Sequence, residues 1–283
     1  MSTHHTKSGH MGREHASRSD VAMAELLELD AEVLKPYLAE LTGWIAALAN
    51  PAPQRIMDVG SGPGTGTLAL AEQFPSASLT AADISPQMLH RLQKQAAARG
   101  VAGRVRTLEA NLDEPWPLPA QPYDLMWAAA FLHHLSDPVR TLAQAYGQLR
   151  PGGLLAVSEM DFFPRFLPPD AGVGRPSLEA RLHAVTNTQP PHEWTQTLTD
   201  AGFTVEARRP FEIRLTASQA GPALGRYAHI CLAKLCSHAA DALDADDLAA
   251  LDALLDQNHP LGITRRGDLS VRTTRTTWIA RRP

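Results

Sequence analysis

The chain has 283 residues, enough for one large or two modest domains, and its 44% hydrophobic content is ordinary for a globular protein. A net charge of −4 and a pI near 6.3 offer no basic surface for a nucleic-acid substrate. There is no long apolar run and no signal-peptide pattern, and the two cysteines suit a reducing compartment. We therefore expect a cytoplasmic protein without a membrane segment.

The first fifty residues divide into two parts. Residues 1–18 are polar, which predicts a disordered leader. Over residues 19–50 apolar side chains recur at helical spacing, which predicts an N-terminal helical cap of two stretches. Pro51 and Pro53 end that pattern, and we expect the main domain to cover residues 51–283.

The most informative stretch is residues 55–67, Arg-Ile-Met-Asp-Val-Gly-Ser-Gly-Pro-Gly-Thr-Gly-Thr. A strand pattern runs into glycines and then into a helical pattern, as in the first βαβ unit of a nucleotide-binding sheet. A GxxxxGK[ST] phosphate loop would need a lysine that is missing here, and a dinucleotide fingerprint would need glycine in place of Thr65 or Thr67. The carboxylate of Asp58 would repel a pyrophosphate, but it suits a ligand that carries a cationic amino acid.

This D-x-G-x-G-x-G pattern resembles the first motif of the class I S-adenosylmethionine-dependent methyltransferases, in particular the small-molecule enzymes of types 11 and 25. The resemblance implies S-adenosylmethionine as the cofactor. It also implies that this motif supplies a set of cofactor contacts, namely Asp58, Gly60, Ser61, Gly62 and Gly64.

The next two strand patterns add expected contacts to the nucleoside. Asp83 ends the second strand, where a carboxylate can accept both hydrogen bonds of a ribose diol. By the resemblance, Ile84 packs on the adenine face and Met88 reaches the edge of the adenosine. After the third strand the family carries an Asp and a small residue that contact adenine. Asn111 and Leu112 stand there instead, and the amide can accept the same hydrogen bond.

The fourth strand pattern leads into Ala128, Ala129 and then a His133-His134 pair. Small residues at the carboxyl end of this strand let the cofactor approach the backbone. The resemblance places a histidine-rich turn here, with one histidine facing the pocket. We hypothesise that His133 contacts the cofactor and acts as general base, because histidine is the usual proton acceptor near neutral pH. Adjacent histidines on a turn lack the spacing of a metal pair, so no metal is predicted.

The fifth strand pattern follows Leu-Arg-Pro-Gly-Gly at residues 149–153, another signature of the family. Glu159, at the carboxyl end of this strand, can serve as a base, as a partner of the acceptor or as a loop cap. The predicted acceptor-binding set adds His134, Tyr37 and Tyr227. For Tyr37, ordinary core packing is the alternative.

The predicted fold class is α/β, a Rossmann-like, doubly wound sheet of seven strands with helices on both faces. Strand six is expected at residues 203–215 and strand seven at residues 271–280, the latter antiparallel and inserted between strands five and six. Between them, a helical insertion at about residues 217–260 is predicted to cap the pocket or to form an oligomer contact. The oligomer expected in the second case is a homodimer.

The function these patterns predict is transfer of a methyl group from S-adenosylmethionine to an oxygen, nitrogen or carbon nucleophile of a small acceptor, with secondary metabolites as the expected class. Two alternatives stay open. One is a cofactor-binding regulatory or assembly protein without turnover. The other is a nicotinamide-dependent oxidoreductase, against which the missing glycine and Asp58 count.

Overall fold

The computed structural model of the chain describes residues 8–186 and 190–283, with side chains described from residue 21 onward in the first helix. The strands are β1 (Arg55–Val59), β2 (Ser78–Asp83), β3 (Val105–Glu109), β4 (Tyr123–Ala129), β5 (Leu149–Met160), β6 (Thr204–Thr216) and β7 (Ser270–Arg281). The helices are α1 (Ser8–Val33), α2 (Lys35–Leu48), α3 (Thr65–Gln73), α4 (Pro86–Ala98), α5 (Pro138–Gln148), α6 (Leu178–Thr186), α7 (Trp194–Asp200), α8 (Ala217–Ala220), α9 (Leu224–Ala239) and α10 (Ala245–Leu255).

The strands form one sheet in the order β3-β2-β1-β4-β5-β7-β6. The pairs from β3 to β5 are parallel, whereas β7 runs antiparallel to both of its neighbours, β5 and β6. The predicted fold class is therefore confirmed, including the position and direction of the last strand. The reversal of strand order beside β1 places a crevice at the carboxyl ends of β1 and β4, where doubly wound sheets bind their ligands.

The central strands are buried on both faces. In register, Ile56 of β1 aligns with Leu125 of β4, and Leu125 aligns with Leu154 of β5. These side chains belong to the core on one face, and the residues that follow them belong to the core on the other. The apolar side chains on both faces of β1, β4 and β5 are thus explained, because parallel strands covered by helices on both faces have no solvent-exposed side.

Helix α1 begins before the predicted boundary of the helical cap at residue 19. The structure continues the helix back to Ser8, so residues 8–18 of the predicted leader are helical. No proline interrupts the chain between Ser8 and Val33, which lets the backbone hydrogen bonds run on. Residues 1–7 of that leader lie outside the described residues.

The insertion between β6 and β7 supplies α9 and α10, as the sequence predicts. Helix α9 packs against α1 and α6, and its buried side chains belong to the same core as α2 and the sheet. The N-terminal helices and the insertion therefore form one cap over this face of the sheet. The homodimer stays a prediction.

Asp30 of α1 joins the cap to the sheet. Its Oδ1 accepts hydrogen bonds from the Tyr227 hydroxyl of α9 at 2.6 Å and from Nη2 of Arg275 in β7 at 2.5 Å. The Arg275 guanidinium also lies 5.4 Å from the centroid of the Tyr37 ring in α2. One largely buried ion pair thus connects three cap helices and a strand.

Two further features concern the chain as a whole. Among the helices in the described ranges, none is long and apolar enough to span a bilayer. The cysteines are free thiols, and burial raises the pKa of the Cys231 thiol to about 12, which leaves it protonated and unreactive near neutral pH.

We expect the substitution Asp30→Asn to lower the free energy of unfolding by about 2 kcal/mol, because it leaves the Arg275 guanidinium without its counter-ion in a largely buried site. Urea denaturation followed by circular dichroism measures the change. Glu32→Gln removes an exposed carboxylate from the same helix and is the matched control, for which we expect no significant change. Equal effects of the two substitutions would show that the ion pair does not hold the cap.

Candidate active site

The glycine turn between β1 and α3 forms a cradle without side chains. Gly60 has φ +72°, and a Cβ atom at this position would overlap the ring of Phe131. The backbone N–H groups of Gly60 and Ser61 both donate to the carbonyl of Ala82 at 2.9 Å, which fixes the turn to the end of β2. The turn thus needs glycine for its left-handed backbone and for its close contacts.

Ser61 lies inside this cradle. Its side chain is buried, and its Oγ has no hydrogen-bond partner among the described residues. A buried hydroxyl without a partner is costly unless a ligand or water satisfies it. The glycine cradle and this hydroxyl together fit a polar ligand at the turn.

Asp58 lies beneath the turn rather than at its surface. Its Oδ2 accepts a hydrogen bond from Oγ1 of Thr67 at 2.6 Å. Burial raises the pKa of Asp58 to about 7, although the Thr67 hydrogen bond opposes the rise, and the negative charge of Asp83 adds to it. The carboxyl group of Asp58 is therefore buried, and a neighbouring cation would stabilise its ionised form.

Asp83 occupies the end of β2, where the sequence predicts a ribose contact. Its Oδ2 accepts from the N–H of Gly62 and its Oδ1 from the N–H of Ser85, both at 2.8 Å. Each oxygen keeps a further lone pair for a ligand hydroxyl. Beside it, Ile84 is a large apolar side chain that is 64% exposed, whereas Met88 is buried. The exposure of Ile84 suits the predicted contact with an adenine face.

Asn111 and Leu112 follow β3. Asn111 is exposed, and its Oδ1 accepts from the N–H of Asp113 at 3.1 Å, which closes a short turn. Leu112 is buried, and its carbonyl accepts the indole N–H of Trp116 at 3.0 Å. The Asn111 amide can still reach a ligand through its N–H₂ group or its second lone pair, and the adenine contact stays a prediction.

Ala128 and Ala129 end β4 at the carboxyl edge of the sheet, with Ala129 in register with Ser158 of β5. Ala130 then adopts φ +49°, a left-handed conformation that is rare for a residue with a side chain. Its N–H donates to the Ser158 carbonyl at 2.8 Å, which holds the chain in this bend. The bend sends residues 131–134 back across the edge, and strained backbone of this kind is often found at functional sites.

The carboxylate of Glu159 in β5 holds residues 131–133 of that bend in place. Its Oε1 accepts hydrogen bonds from the N–H groups of Phe131 at 3.0 Å and Leu132 at 2.8 Å, and its Oε2 lies 2.8 Å from Nδ1 of His133. The side chain of Glu159 is buried, whereas that of His133 is about half exposed. Among the open sequence interpretations of Glu159, the geometry favours the loop cap.

The carboxylate also selects the tautomer of His133. Because an ionised Glu159 can only accept, the neutral imidazole must carry its proton on Nδ1, which leaves the Nε2 lone pair directed away from Glu159. No described residue bonds that Nε2. This arrangement of His133 and Glu159 would suit a general base that a carboxylate orients.

His134 stacks on His133 with ring centroids 4.0 Å apart. Burial lowers the pKa of His134, and the nearby charges of His133 and Lys234 lower it further, while that of Glu159 opposes them. His134 is therefore neutral near pH 7 and offers hydrogen bonds rather than charge.

The two tyrosines of the predicted acceptor set lie in the cap contacts instead of in the turn. The Tyr37 hydroxyl is 2.9 Å from Oγ of Ser158, and the ring packs edge-on against Phe211. Tyr227 bonds Asp30, as described above, and burial raises the pKa of both tyrosines. Tyr37 therefore matches the core alternative, although its hydroxyl borders the β5 edge of the site.

Leu27 and Phe131 are site neighbours that the sequence patterns did not reveal. A methyl group of Leu27 in α1 lies 3.3 Å from the place of a Cβ at Gly62, and the Phe131 ring covers Gly60. Both are ordinary apolar residues in sequence, and only the tertiary packing shows that they close the cradle. Among the described residues, no cluster of three or more His, Cys, Asp or Glu side chains is arranged to hold a metal ion.

Comparison with known proteins agrees with this geometry. Residues 56–153 match the family model of a methyltransferase domain. The trans-aconitate 2-methyltransferase of Yersinia pestis (strain Pestoides F) is 32% identical over 177 residues, which cover 62% of this chain and 58% of that enzyme. The chain thus spans less than two thirds of the length of the curated relatives it matches.

Two solved structures share the fold. The [4+2]-cyclase SpnF has a TM-score of 0.52 at 21% identity, with 87% of this chain and 81% of that chain covered. Coclaurine N-methyltransferase bound to N-methylheliamine and SAH has a TM-score of 0.51 at 13% identity, with 86% and 72% covered. Identities this low show the fold alone.

The strand order, the glycine turn and the family match together define a class of protein. Residues 56–153 carry a methyltransferase domain, and the strand order of the sheet is that of the class I S-adenosylmethionine-dependent methyltransferases. The cofactor of that class is S-adenosylmethionine, and the cradle, the unpartnered Ser61 hydroxyl and the Asp83 carboxylate fit it.

We expect the ionisation of Asp58 to make the free energy of unfolding depend on pH. Because burial raises its pKa to about 7, the unfolded chain releases this proton at lower pH than the folded chain does. The contribution of Asp58 to the free energy of unfolding should therefore fall between about pH 4 and pH 7 and level off above. Asp58→Asn keeps an oxygen for Thr67 and removes the titration. Relative to wild type, its free energy of unfolding should rise by about 2 to 3 kcal/mol between pH 5 and pH 8.

Urea denaturation at the two pH values measures this difference. Asp246→Asn removes an exposed carboxylate from α10 and is the control, with a small and pH-independent effect. A difference between Asp58→Asn and wild type that stays constant from pH 5 to pH 8 would contradict the buried titration.

Proposed function

We propose that the protein transfers a methyl group from S-adenosylmethionine to a nucleophile on a small-molecule acceptor, with His133 as general base. The observation that carries the proposal is the contact between His133 and the buried Glu159, at the sheet edge that also bears the glycine cradle. A base held in one tautomer beside a cofactor cradle has the arrangement needed to activate an acceptor.

In this proposal, one group of residues binds the cofactor and another group transfers the proton. Asp83, Ser61 and the glycine turn bind and orient the cofactor, and Leu27 and Phe131 exclude water from it. When bound, S-adenosylmethionine supplies an electrophilic methyl group on a sulfonium. His133 takes a proton from the acceptor at Nε2, and Glu159 stabilises the imidazolium that results. Alignment in a dry site provides the rest of the acceleration.

The acceptor is proposed to be a small molecule of secondary metabolism rather than a nucleic acid. The net charge of −4 provides no basic surface for a polynucleotide, and the cap of α1, α2 and α9 restricts access from one face. The relatives named trans-aconitate 2-methyltransferase act, by their name, on a small polycarboxylate. The proposal includes a cytoplasmic location, to which the two free thiols conform.

A cofactor-binding protein without turnover is the second candidate. The structural similarity to a [4+2]-cyclase favours keeping it, because the same fold serves a protein that is named for an activity other than methyl transfer. Cofactor binding is common to both candidates, and release of S-adenosylhomocysteine in the presence of an acceptor separates them.

Cofactor binding is tested by isothermal titration with S-adenosylmethionine, S-adenosylhomocysteine and NADH. We expect micromolar binding of the two sulfur ligands, and binding weakened at least about tenfold in Asp83→Ala, which loses the hydrogen bonds to the ribose and to the turn. Glu109→Ala removes the exposed acid in register with Asp83 on β3 and should bind like wild type. Binding of NADH alone would reinstate the oxidoreductase alternative.

The base is tested by turnover of an acceptor panel, with S-adenosylhomocysteine release as the readout. His133→Ala should lower kcat by about 100-fold and leave S-adenosylmethionine affinity unchanged. Glu159→Gln keeps the bulk, but its amide N–H₂ would donate to Nδ1 of His133, which moves the imidazole proton to Nε2 and blocks the base. We expect a similar loss of kcat.

The double variant distinguishes positioning from a structural effect. If Glu159 acts through His133, the combined substitution should be no slower than His133→Ala alone. The acidic limb of the pH profile of kcat should also disappear in His133→Ala. Additive losses, or an unchanged pH profile, would refute the base.

A further inference from the structure

A cavity of about 280 Å³ lies between the segment that follows β5 and the helices α6 and α9. It is lined by Phe163, Val185, Thr186, Lys234, Leu235 and His238. Phe163 of the lining follows Glu159 by four residues, and Glu159 contacts His133, so this cavity lies next to the end of β5 that positions the proposed base. Its volume is at the small end of ligand sites.

The walls of the cavity combine an apolar body with a cationic end. Phe163, Val185 and Leu235 are apolar and partly or fully buried. Lys234 and His238 are the two residues of the lining that can carry charge, and both are bases. An apolar ligand with a negative group matches this pattern of chemistry.

Lys234 forms no ion pair with any residue whose side chain is described. Its Nζ lies 5.9 Å from the centroid of the Phe163 ring. That distance is at the outer limit of a cation–π interaction, so the ring holds the ammonium only weakly. A half-buried lysine without a carboxylate gains more from an anion than an exposed one, because solvent screens it less.

His238 is a second basic residue at the same end of the cavity. Its Nδ1 donates to the carbonyl of Lys234 at 2.7 Å, because a carbonyl can only accept. This contact fixes the ring on α9, one turn beyond Lys234. Two basic side chains on one face of the helix are thus presented to the same cavity.

We propose that this cavity binds the acceptor, and that the acceptor is a small carboxylic acid whose carboxylate pairs with Lys234. The inference rests on the proposed methyltransferase function and specifies its substrate class. Lys234 and His238 lie on the helical insertion, so the insertion provides the recognition of the acid as well as the cap. The carboxylate anchors the acceptor at α9, and its apolar part lies along Phe163 and Val185 towards the histidine pair.

The test uses paired probes: 4-hydroxybenzoate, trans-4-hydroxycinnamate and trans-aconitate, each beside its amide. Each of these acids keeps a hydroxyl or a further carboxylate that can accept the methyl group while one carboxylate is anchored at Lys234. Methyl transfer from radiolabelled S-adenosylmethionine gives kcat and KM for each probe. We expect wild type to methylate at least one acid with kcat/KM about tenfold or more above that of its amide. Lys234→Met, which keeps the length of the side chain, should raise KM for that acid about tenfold and leave KM for the amide unchanged. Lys234→Arg should keep the preference.

Lys94→Met removes an exposed lysine on α4 and is the matched control, for which both constants should stay at the wild-type values. A preference for the amides, or an acid preference that survives in Lys234→Met, would overturn the inference. Methylation of none of the acids by a protein that binds S-adenosylmethionine would overturn it as well. Failure to bind S-adenosylmethionine would instead contradict the proposed function, so titration of the same preparations distinguishes the two failures.

Discussion

A carboxylate that accepts two backbone N–H groups from one or two loops is the interaction on which this structure depends. Asp83, Glu159, Glu179 and Asp124 each do this, and the first two lie at the carboxyl edge of the sheet. The donor pairs are Gly62 with Ser85, Phe131 with Leu132, Phe166 with Leu167, and Gln54 with Arg55. Loops lack internal partners for such groups, and charge-assisted hydrogen bonds are the stronger kind. Each acid thus fixes a loop or the start of a strand to a neighbouring element, and Asp83 and Glu159 do so at the carboxyl edge of the sheet.

These carboxylates explain why the two loops of the candidate site, the glycine turn and the histidine turn, keep a fixed position relative to each other. Asp83 fixes the glycine turn to β2, and Glu159 fixes the histidine turn to β5. Between them, β1 and β4 are adjacent parallel strands whose spacing is set by backbone hydrogen bonds. The distance between the glycine turn and the histidine turn is therefore determined by the sheet and by two acids, rather than by the loops themselves. Preorganisation of this kind is what group transfer between two bound molecules requires.

The sequence predicted most of the fold because its signals are local. Apolar runs with glycine or proline at their ends located the strands, and helical periodicity located α9 and α10 in the insertion. The last strand was recognisable for the same reason. The start of α1 was not, because residues 8–18 are polar and carry no apolar stripe, while the absence of proline is a weak signal.

The site was predicted less completely because its contacts are not local. His133 and Glu159 are far apart in sequence, and they meet only because β4 and β5 are neighbours. The sequence showed an acid at position 159, at the end of a strand. It could not show that this acid accepts hydrogen bonds from the N–H groups of Phe131 and Leu132. Similarly, nothing in the pattern around Tyr227 indicates that its hydroxyl is directed to Asp30 in the first helix. Motifs identify which residues stand at strand ends, whereas hydrogen bonds between strand ends require the topology.

Charged side chains of opposite sign lie on the two sides of the carboxyl edge of the sheet, and this separation would favour a different substrate on each side. Acids gather on the cofactor side, where Asp58 lies beneath the turn and Asp83 beside it. On the side of the proposed acceptor cavity, the two basic residues Lys234 and His238 line the space next to the segment that follows β5. A cationic donor and an anionic acceptor would each be stabilised on its own side and repelled from the other. Methyl transfer neutralises the sulfonium, so the attraction that holds the donor weakens as the reaction proceeds, and the same arrangement that selects the substrates favours release of the product.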